Sequence, residues 1–242
     1  TSHREFRTGG GADRVHLPRA VIGQEEEKPV FDNRTTDAGA KLLLLDEPLG
    51  ALDAKIRFEL RYELRKFVKD LELTGIHVTH DQAEAMAISD RISVMRKGKI
   101  LQVGTPQELY LNPQHIFVAN FIGESNFLEG YIAKLDNNQP IIELRGGIYV
   151  QSLDSMHKKG EKVVVAVRPE VLAVEKGEKR GTNSILGHIE GFRFEGTTIR
   201  YEIRLENGDL VIVVRPALMM EWLNVGEKVT VSFPVEKSFI FA

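Results

Sequence analysis

The spacing of apolar residues changes near Gly130, and this change constrains the fold more than any other feature of the sequence. Before it, the apolar runs Leu42 to Leu45 and Ile76 to Thr79 have the length and composition of strands. Between them, apolar residues recur at helical spacing: Ile56, Leu60, Leu64, Phe67, Val68 and Leu71. After Gly130, short runs rich in Val, Ile, Tyr and Phe predict strands. We therefore expect an α/β part followed by a small all-β barrel or sandwich.

Turn and repeat signals support the all-β prediction. Asn207-Gly208 lies between two alternating stretches, which predicts a hairpin. The stretches GEKVVVAVRPE, at 160–170, and GEKVTVSFPVE, at 226–236, are near-repeats. They indicate two related β units, with chance similarity between strand-forming sequences as the alternative. Strands are predicted at 162–168, 198–205, 210–214 and 228–233.

Composition limits the functional classes. The 242 residues include no cysteine, which excludes disulfides and thiolate metal sites. A formal net charge of -3 argues against a nucleic-acid binder that neutralises phosphates, so we interpret Phe192, Phe194 and Tyr201 as core residues. No apolar stretch approaches the roughly 20 residues that span a bilayer. We expect a cytoplasmic protein that reaches a membrane only through a partner.

Two adjacent carboxylates follow the leucine run in LLLLDEPLGALD, residues 42–53. Asp46 and Glu47 are expected at the C-terminal end of a buried strand, where open α/β sheets bind ligands. One carboxylate can hold Mg²⁺, and the next can orient the water that attacks a γ-phosphate. The string resembles the Walker B motif, catalytic glutamate and D-loop of ATP-binding-cassette (ABC) ATPases. The resemblance implies that Asp46 positions the metal, Glu47 polarises the water, and Asp53 joins the nucleotide site by communicating across an ATPase dimer.

A histidine follows the next predicted strand in IHVTHDQAEAMAISDRISVMRKGKI, residues 76–100. His80 would precede a helix N-terminus, where the helix dipole favours anions and an imidazole can reach a phosphate. Asp81, with Glu84 three residues later, is interpreted as the cap of that helix. The string resembles the switch region of ABC ATPases, which implies that His80 contacts the γ-phosphate. His77 is interpreted as structural.

A glycine-rich segment, RTGGGADRVHLPRAVI at residues 7–22, resembles the family's signature motif and the helix after it. Thr8, Gly9 and Gly10 would take the Ser-Gly-Gly positions, where a hydroxyl and backbone amides suit phosphate contact. The family's glutamine is replaced by a third glycine, and Pro18 would break the helix. A flexible glycine-rich terminus is the alternative interpretation.

No G-x-x-x-x-G-K-[S/T] phosphate-binding loop occurs in the sequence. We therefore expect an ABC ATPase subunit whose Walker A half is missing, through truncation, fragmentation or degeneration. The predicted domains are a degenerate signature segment with an irregular linker at 1–40, the C-terminal half of the nucleotide-binding domain at 41–129, and a β-barrel domain at 130–242.

The segment 91–130 resembles the link between the ATPase and its accessory domain in importers of sugars, polyamines, iron and oxyanions. The string FIGESNFLEG, at 121–130, leans towards the spermidine/putrescine branch. The β-rich tail is accordingly identified with the family's OB-like accessory (TOBE) domain. Within the tail, Arg168-Pro169-Glu170 is interpreted as a polar strand end.

The resemblance implies an ATP-hydrolysing subunit of an ABC importer that uses ATP and Mg²⁺ and energises uptake of spermidine or putrescine. Its implied partners are a second ATPase subunit in a homodimer, transmembrane permease subunits and, indirectly, a solute-binding protein, but not nucleic acid. Its implied place is the inner face of the cell membrane. Two alternatives stay open. In the first, the chain is a non-catalytic remnant that dimerises or senses a ligand. In the second, it is an importer ATPase whose solute is a sugar, iron or an oxyanion.

Overall fold

The structure is a computed structural model that describes residues 6–7, 14–15, 42–50, 52–137, 139–153, 157–218 and 222–242. It divides into two compact units: the first ends at Ile92 and includes Gly104–Pro106, and the second comprises Ser93–Val103 and Gln107–Ala242. The first unit contains mixed α/β elements and the second contains the long antiparallel sheets, which confirms the predicted order of fold classes. The domain boundaries drawn from the sequence stay predictions.

The first unit is built around a parallel pair of strands. Its elements are β1 (Phe6–Arg7), β2 (Arg14–Val15), β3 (Leu42–Asp46), α1 (Ala54–Asp70), β4 (Thr74–Val78) and α2 (Gln82–Ile88). Strands β1 and β2 pair antiparallel, whereas β3 and β4 pair parallel with α1 as the crossover between them. A parallel pair requires such a crossover, because a tight turn can join only antiparallel strands.

Strand β3 is buried on the face that meets α1. Leu43 and Leu45 are buried there in one cluster with Leu64 of α1, and Phe67 packs against that cluster. Leu44 points to the opposite face and is 39% exposed. Because side chains alternate along a strand, a run of four leucines serves both faces of the sheet. The prediction of a buried strand is therefore right for one face and wrong for the other.

Between the parallel pair and the long sheets, the chain forms two short strands and two short helices. They are β5 (Ile92–Arg96), β6 (Lys99–Gly104), α3 (Pro106–Leu111) and α4 (Ile116–Phe121). Lys97 and Gly98 join β5 to β6 with φ of 49° and 75°, the left-handed pair that a tight hairpin turn requires. No helix within the described part of the chain combines the length and the apolar character that crossing a bilayer requires.

Ten strands form two five-stranded sheets in the rest of the second unit. They are β7 (Asn126–Asp136), β8 (Gln139–Leu144), β9 (Ile148–Gln151), β10 (Lys162–Val167), β11 (Ala173–Lys176), β12 (Ser184–Phe194), β13 (Thr198–Leu205), β14 (Leu210–Pro216), β15 (Lys228–Ser232) and β16 (Ser238–Phe241). The sheet orders are β16-β10-β7-β8-β9 and β11-β15-β12-β13-β14. These strands confirm the four predicted stretches, and the predicted hairpin joins β13 to β14 through Gly208, whose φ is 87°.

The two sheets have the same strand order, and each contains one strand that follows the other half in the sequence. Strands β7 to β10 form one half and β12 to β15 the other, in the same order. The strand after each half, β11 or β16, pairs with the opposite half, β11 with β15 and β16 with β10. The near-repeats form equivalent turns: the Gly160 N–H donates to Ile132 O at 2.8 Å, and the Gly226 N–H donates to Ile189 O at 2.8 Å. The prediction of two related β units is confirmed.

Two further pairs of residues, not recognised in the sequence, repeat between the halves. Gly130 and Gly187 occupy equivalent places, where a Cβ would lie 2.6 Å from the carbonyl oxygens of Glu143 and Arg204 respectively. A contact that short excludes any side chain. Asn126 and Asn183 begin the equivalent stretches NFLEGYI and NSILGHI.

Each of these asparagines hydrogen-bonds to the edge strand of the opposite sheet as another strand would. The Asn126 amide accepts from Ile212 N at 2.7 Å and donates to Ile212 O at 2.8 Å. The Asn183 amide accepts from Gln151 N at 2.6 Å and donates to Gln151 O at 2.9 Å. Both side chains are buried, so these bonds satisfy groups that water does not reach.

One hydrophobic cluster lies between the sheets and draws on both halves. Tyr201 belongs to it and is 2% exposed, as the sequence predicted. Phe192 and Phe194 are 42% and 55% exposed, so their prediction as core residues is wrong. They lie beyond the bulge in β12, after the point where its pairing with β13 shifts register, and contact Trp222 with ring centroids 5.9 and 5.6 Å away.

Candidate active site

Strand β3 ends in the two predicted carboxylates. Asp46 is the last residue of the strand and is exposed. Glu47 follows with a left-handed backbone, φ 44°, which is uncommon for a residue with a side chain. Its N–H donates to Val78 O at 2.8 Å, and its carbonyl accepts from Gly50 N at 3.2 Å. This turn holds the Glu47 side chain just beyond the strand end, and backbone strain of this kind concentrates at functional sites.

The structure brings His80 and Glu47 together. His80 Nδ1 lies 2.9 Å from Glu47 Oε1, and the two side chains are 76% and 41% exposed. The parallel register explains the meeting, because Asp46 is paired with Val78 and the residues just beyond both strand ends share one edge. An imidazole and a carboxylate therefore touch each other while both remain accessible to a ligand.

This contact limits what the ring can do. With Nδ1–H donated to Glu47, a neutral imidazole leaves Nε2 as an acceptor, and Nε2 donates only when the ring is protonated. Contact with an anion through Nε2 is therefore coupled to the charge on the ring.

Asp46 fits a magnesium ligand by its chemistry and place. Within the described ranges, no three His, Cys, Asp or Glu side chains converge into a group that could hold a metal ion. Mg²⁺ seldom needs such a cage, because one or two carboxylates hold it together with waters and substrate phosphates. An exposed carboxylate at a strand end suits a magnesium ion that arrives with a nucleotide.

Asp53 caps helix α1. Its Oδ1 accepts hydrogen bonds from Lys55 N at 3.1 Å and from Ile56 N at 3.0 Å, which satisfies two backbone donors of the first turn. The sequence did not assign this structural task. Communication by Asp53 across a dimer stays a prediction.

The predicted signature residues Thr8, Gly9 and Gly10 lie outside the described residues. The neighbouring stretch Arg14–Val15 forms β2, paired with Phe6–Arg7. The resemblance implied a helix after the signature motif within residues 7–22, whereas Arg14–Val15 form a strand. Strand pairing satisfies their backbone groups here instead of an intrahelical ladder.

Asp81 caps α2, as predicted. Its Oδ1 accepts the Glu84 N–H at 3.0 Å, and its Oδ2 lies 2.7 Å from Arg61 and 3.3 Å from Arg57 on α1. Burial acts to raise the pKa of Asp81, but the Glu84 N–H and the arginine charges outweigh it, so this pKa is lowered. The start of α2 is thereby tied to α1.

A buried polar contact near His80, between Glu84 and His77, was not predicted from the sequence. The Glu84 side chain is 2% exposed, and its Oε1 lies 2.7 Å from Nε2 of His77, whose side chain is 8% exposed. The two atoms are in contact, but their geometry is not that of a hydrogen bond. Burial lowers the pKa of His77 although Glu84 opposes the shift, which favours a neutral ring. The Glu84 spacing signalled a helix cap, but no local pattern showed that its carboxylate turns inward.

Comparison with known proteins bears on both parts of the chain. Residues 165–241 match the TOBE domain family. The spermidine/putrescine import ATP-binding proteins PotA of Fusobacterium nucleatum and Vibrio cholerae are 39% and 38% identical, over 84% and 85% of this chain and 51% of each relative. The protein of that name from Pseudomonas fluorescens is 39% identical over 94% of this chain and 58% of its own length. This chain thus spans about half the length of the curated relatives it matches.

Among solved structures, the cytoplasmic molybdate-binding protein ModG overlaps 48% of this chain with a TM-score of 0.42 and 12% identity, too little to support a conclusion. The sequence relatives are more informative, because their identity to this chain extends across both compact units. Over most of its length, this chain is similar to the ATP-binding proteins of spermidine/putrescine import, and its residues 165–241 match the TOBE domain family.

Proposed function

We propose that the α/β part of this chain supplies the water-activating and phosphate-contacting residues of an ABC importer ATPase. The observation that carries the proposal is the 2.9 Å contact between His80 Nδ1 and Glu47 Oε1 at the edge where β3 and β4 end. An exposed carboxylate and an exposed imidazole at a strand edge suit hydrolysis of the phosphoanhydride bond of a bound nucleotide. Homology to import ATP-binding proteins supports the same assignment.

In this proposal, Glu47 accepts a hydrogen bond from the attacking water and takes its proton as the water oxygen bonds to the γ-phosphorus. The bond from that phosphorus to the oxygen bridging to the β-phosphate breaks at the same centre, and ADP leaves with that oxygen. Phosphoryl transfer needs little covalent help, so placing the water is the main task. His80 holds Glu47 through Nδ1 and contacts the γ-phosphate from its other nitrogen. A magnesium ion bound through Asp46 would supply positive charge beside the phosphates.

We further propose that the whole protein works as a homodimer on the cytoplasmic side of the membrane, bound to permease subunits that a solute-binding protein serves. A polyamine is the proposed solute, on the strength of the spermidine/putrescine import proteins to which the chain is homologous. Asp53 would communicate across the dimer, and Thr8, Gly9 and Gly10 would contact nucleotide in it.

The test of Glu47 uses this chain joined to the upstream half of a spermidine/putrescine import ATP-binding relative. Glu47→Gln keeps the size of the side chain but cannot take a proton, so we expect turnover to fall by about 10²–10⁴-fold. Calorimetry should find the affinity for Mg-ATP nearly unchanged, because the lost interaction belongs to the transition state. Glu63→Gln, at an exposed position on α1, is the matched control. Undiminished turnover in Glu47→Gln would overturn the proposal.

A second experiment separates an ATPase subunit from a non-catalytic protein. Mg-ATP binding is measured by calorimetry for this chain alone and for the joined version. Binding and hydrolysis by the joined version only would support the proposal. Phosphate contacts dominate nucleotide affinity, and the G-x-x-x-x-G-K-[S/T] loop of the upstream half supplies them. Tight binding by this chain alone would contradict it and would require a nucleotide site elsewhere.

The solute is tested with the joined version, polyamine permease subunits and their solute-binding protein reconstituted in vesicles. We expect spermidine to stimulate ATP hydrolysis, whereas a sugar, ferric iron or an oxyanion should not. Stimulation by one of those solutes, each tested with the permease and binding protein of its own class, would reassign the substrate.

A further inference from the structure

His80 lies in the short connection between β4 and α2. The hydroxyl of Thr79, on one side of His80, hydrogen-bonds to residues on the other side. The Thr79 Oγ1 accepts the Asp81 N–H at 3.0 Å and donates to Glu84 Oε2 at 3.0 Å. The Glu84 N–H returns to Asp81 Oδ1 at 3.0 Å. The residue before His80, the residue after it and the first turn of α2 therefore form one closed ring of hydrogen bonds.

This ring differs from an ordinary helix cap in a way that concerns His80. In a capping box, the carboxylate at the third helical position accepts the N–H of the cap residue itself. Here Thr79 is inserted between them, because its hydroxyl takes the Asp81 N–H and the Glu84 carboxylate takes the hydroxyl. The insertion extends the box backwards along the chain, so that it encloses His80.

Burial of the Glu84 side chain stabilises this ring of hydrogen bonds. Its side chain is 2% exposed, so water cannot replace the Thr79 hydroxyl as a partner. A buried carboxylate is costly unless polar groups surround it. His77 supplies the second polar neighbour, at 2.7 Å from the oxygen that Thr79 does not use. Because β4 carries His77 and α2 carries Glu84, the contact joins the elements on both sides of His80.

We propose that Thr79 and Glu84 are positioning residues that fix the backbone around His80 so that its ring meets Glu47. The task of His80 rests on the proposed function, whereas the constraint on its backbone does not. The ring of His80 is 76% exposed and has little packing of its own to orient it. Apart from the contact with Glu47, its direction is therefore set by the backbone that carries it.

The first test is made by NMR on the whole 242-residue chain. Thr79→Val removes the hydroxyl and keeps a branched side chain of similar size. We expect the hydrogen-exchange protection of the Asp81 amide to fall by about tenfold, since its acceptor is lost. The imidazole resonances of His80 should shift as well, and Thr79→Ser should restore both signals.

Two further variants provide a second disruption of the hydrogen-bond ring and a control. Glu84→Ala should lower the Asp81 protection and shift His80 as Thr79→Val does, by releasing the hydroxyl from its anchor. Asp90→Asn is the control, because Asp90 is an exposed carboxylate that pairs only with Arg65 and Lys69 among the described residues. Wild-type exchange at Asp81 and wild-type His80 resonances in Thr79→Val would overturn the proposal.

Turnover in the joined version tests the consequence. Thr79→Val is expected to lower kcat by about 10–100-fold, the usual cost of a misplaced catalytic group, with KM nearly unchanged. Wild-type kcat in Thr79→Val, when His80→Gln does lower kcat, would overturn the positioning role. An unaffected kcat in His80→Gln, with Asp81 protection still lost in Thr79→Val, would instead overturn the proposed function and support the backbone constraint.

Discussion

Arg168 is a buried guanidinium that joins the β10 end to the helical segment before the sheets. It directly follows the last residue of β10, in agreement with its interpretation as part of a polar strand end, but it is 2% exposed, which the sequence did not predict. Its Nη1 lies 2.6 Å from Ala119 O and 2.9 Å from Gly123 O, and its guanidinium lies 4.4 Å from the Tyr110 ring centre. The Tyr110 hydroxyl donates to Glu170, and burial together with that carboxylate raises the pKa of Tyr110 to about 12.

Replacing Arg168 should be costly because its carbonyl partners would stay buried without a donor. Arg168→Met keeps much of the length but no hydrogen bonds, and we expect the free energy of unfolding to fall by about 2–4 kcal/mol. Urea denaturation measures the change. Arg193→Met, at an exposed position on β12, should alter it by less than about 0.5 kcal/mol. Equal losses in the two variants would contradict this account.

Helix α1 is stabilised at its first turn and carries an unfavourable charge at its last. Asp53 accepts two backbone N–H groups at the start, whereas Asp70 is an exposed carboxylate at the end, where the helix dipole is negative. The apolar face between them, with Leu60 and Leu64 buried, decides where the helix packs. The caps decide where it begins and ends.

The two ends of α1 therefore predict substitutions of opposite sign. Asp53→Ala should lower the free energy of unfolding by about 0.5–2 kcal/mol, because two donors lose their acceptor. Asp70→Ala should leave it unchanged or raise it by about 0.3–1 kcal/mol, because an unfavourable charge is removed. Thermal denaturation followed by circular dichroism compares them. A loss for Asp70→Ala as large as for Asp53→Ala would refute the assignment of the cap.

The exchange of last strands makes the two β halves one structure. Each five-stranded sheet takes its fifth strand from the other half, and one hydrophobic cluster contains residues of both. Neither half can complete its sheet alone, so we expect both to unfold in a single transition. The single tryptophan, Trp222, lies between β14 and β15 and reports on the second half.

Val165→Ala tests this cooperativity from the opposite sheet. Val165 lies on β10 with 0% exposure, and we expect its truncation to cost about 1–3 kcal/mol. The urea midpoint by Trp222 fluorescence should fall by as much as the midpoint by circular dichroism. Val225→Ala, at a 61% exposed position, is the control and should move neither. A fluorescence midpoint unchanged in Val165→Ala would show that the halves unfold separately.

Local patterns sufficed for much of this protein. The α/β-then-β order, helix α1, the cap at Asp81 and the hairpin at Asn207-Gly208 follow from hydrophobic period and turn chemistry, which act over a few residues. The near-repeats correctly indicated two related β units, because equivalent turns need equivalent glycines. The strand-end positions of Asp46 and Glu47 followed from the leucine run before them.

Only the tertiary structure decided which distant residues meet. The 2.9 Å contact of His80 with Glu47 depends on the parallel register of β3 and β4, and register is a long-range property. The inward turn of Glu84, the burial of Arg168 and the exposure of Phe192 depend on which elements cover each side chain. The exchange of β11 and β16 depends on pairing between halves. Sequence by itself thus determined the elements and their caps, whereas packing between elements determined the partners of their polar groups.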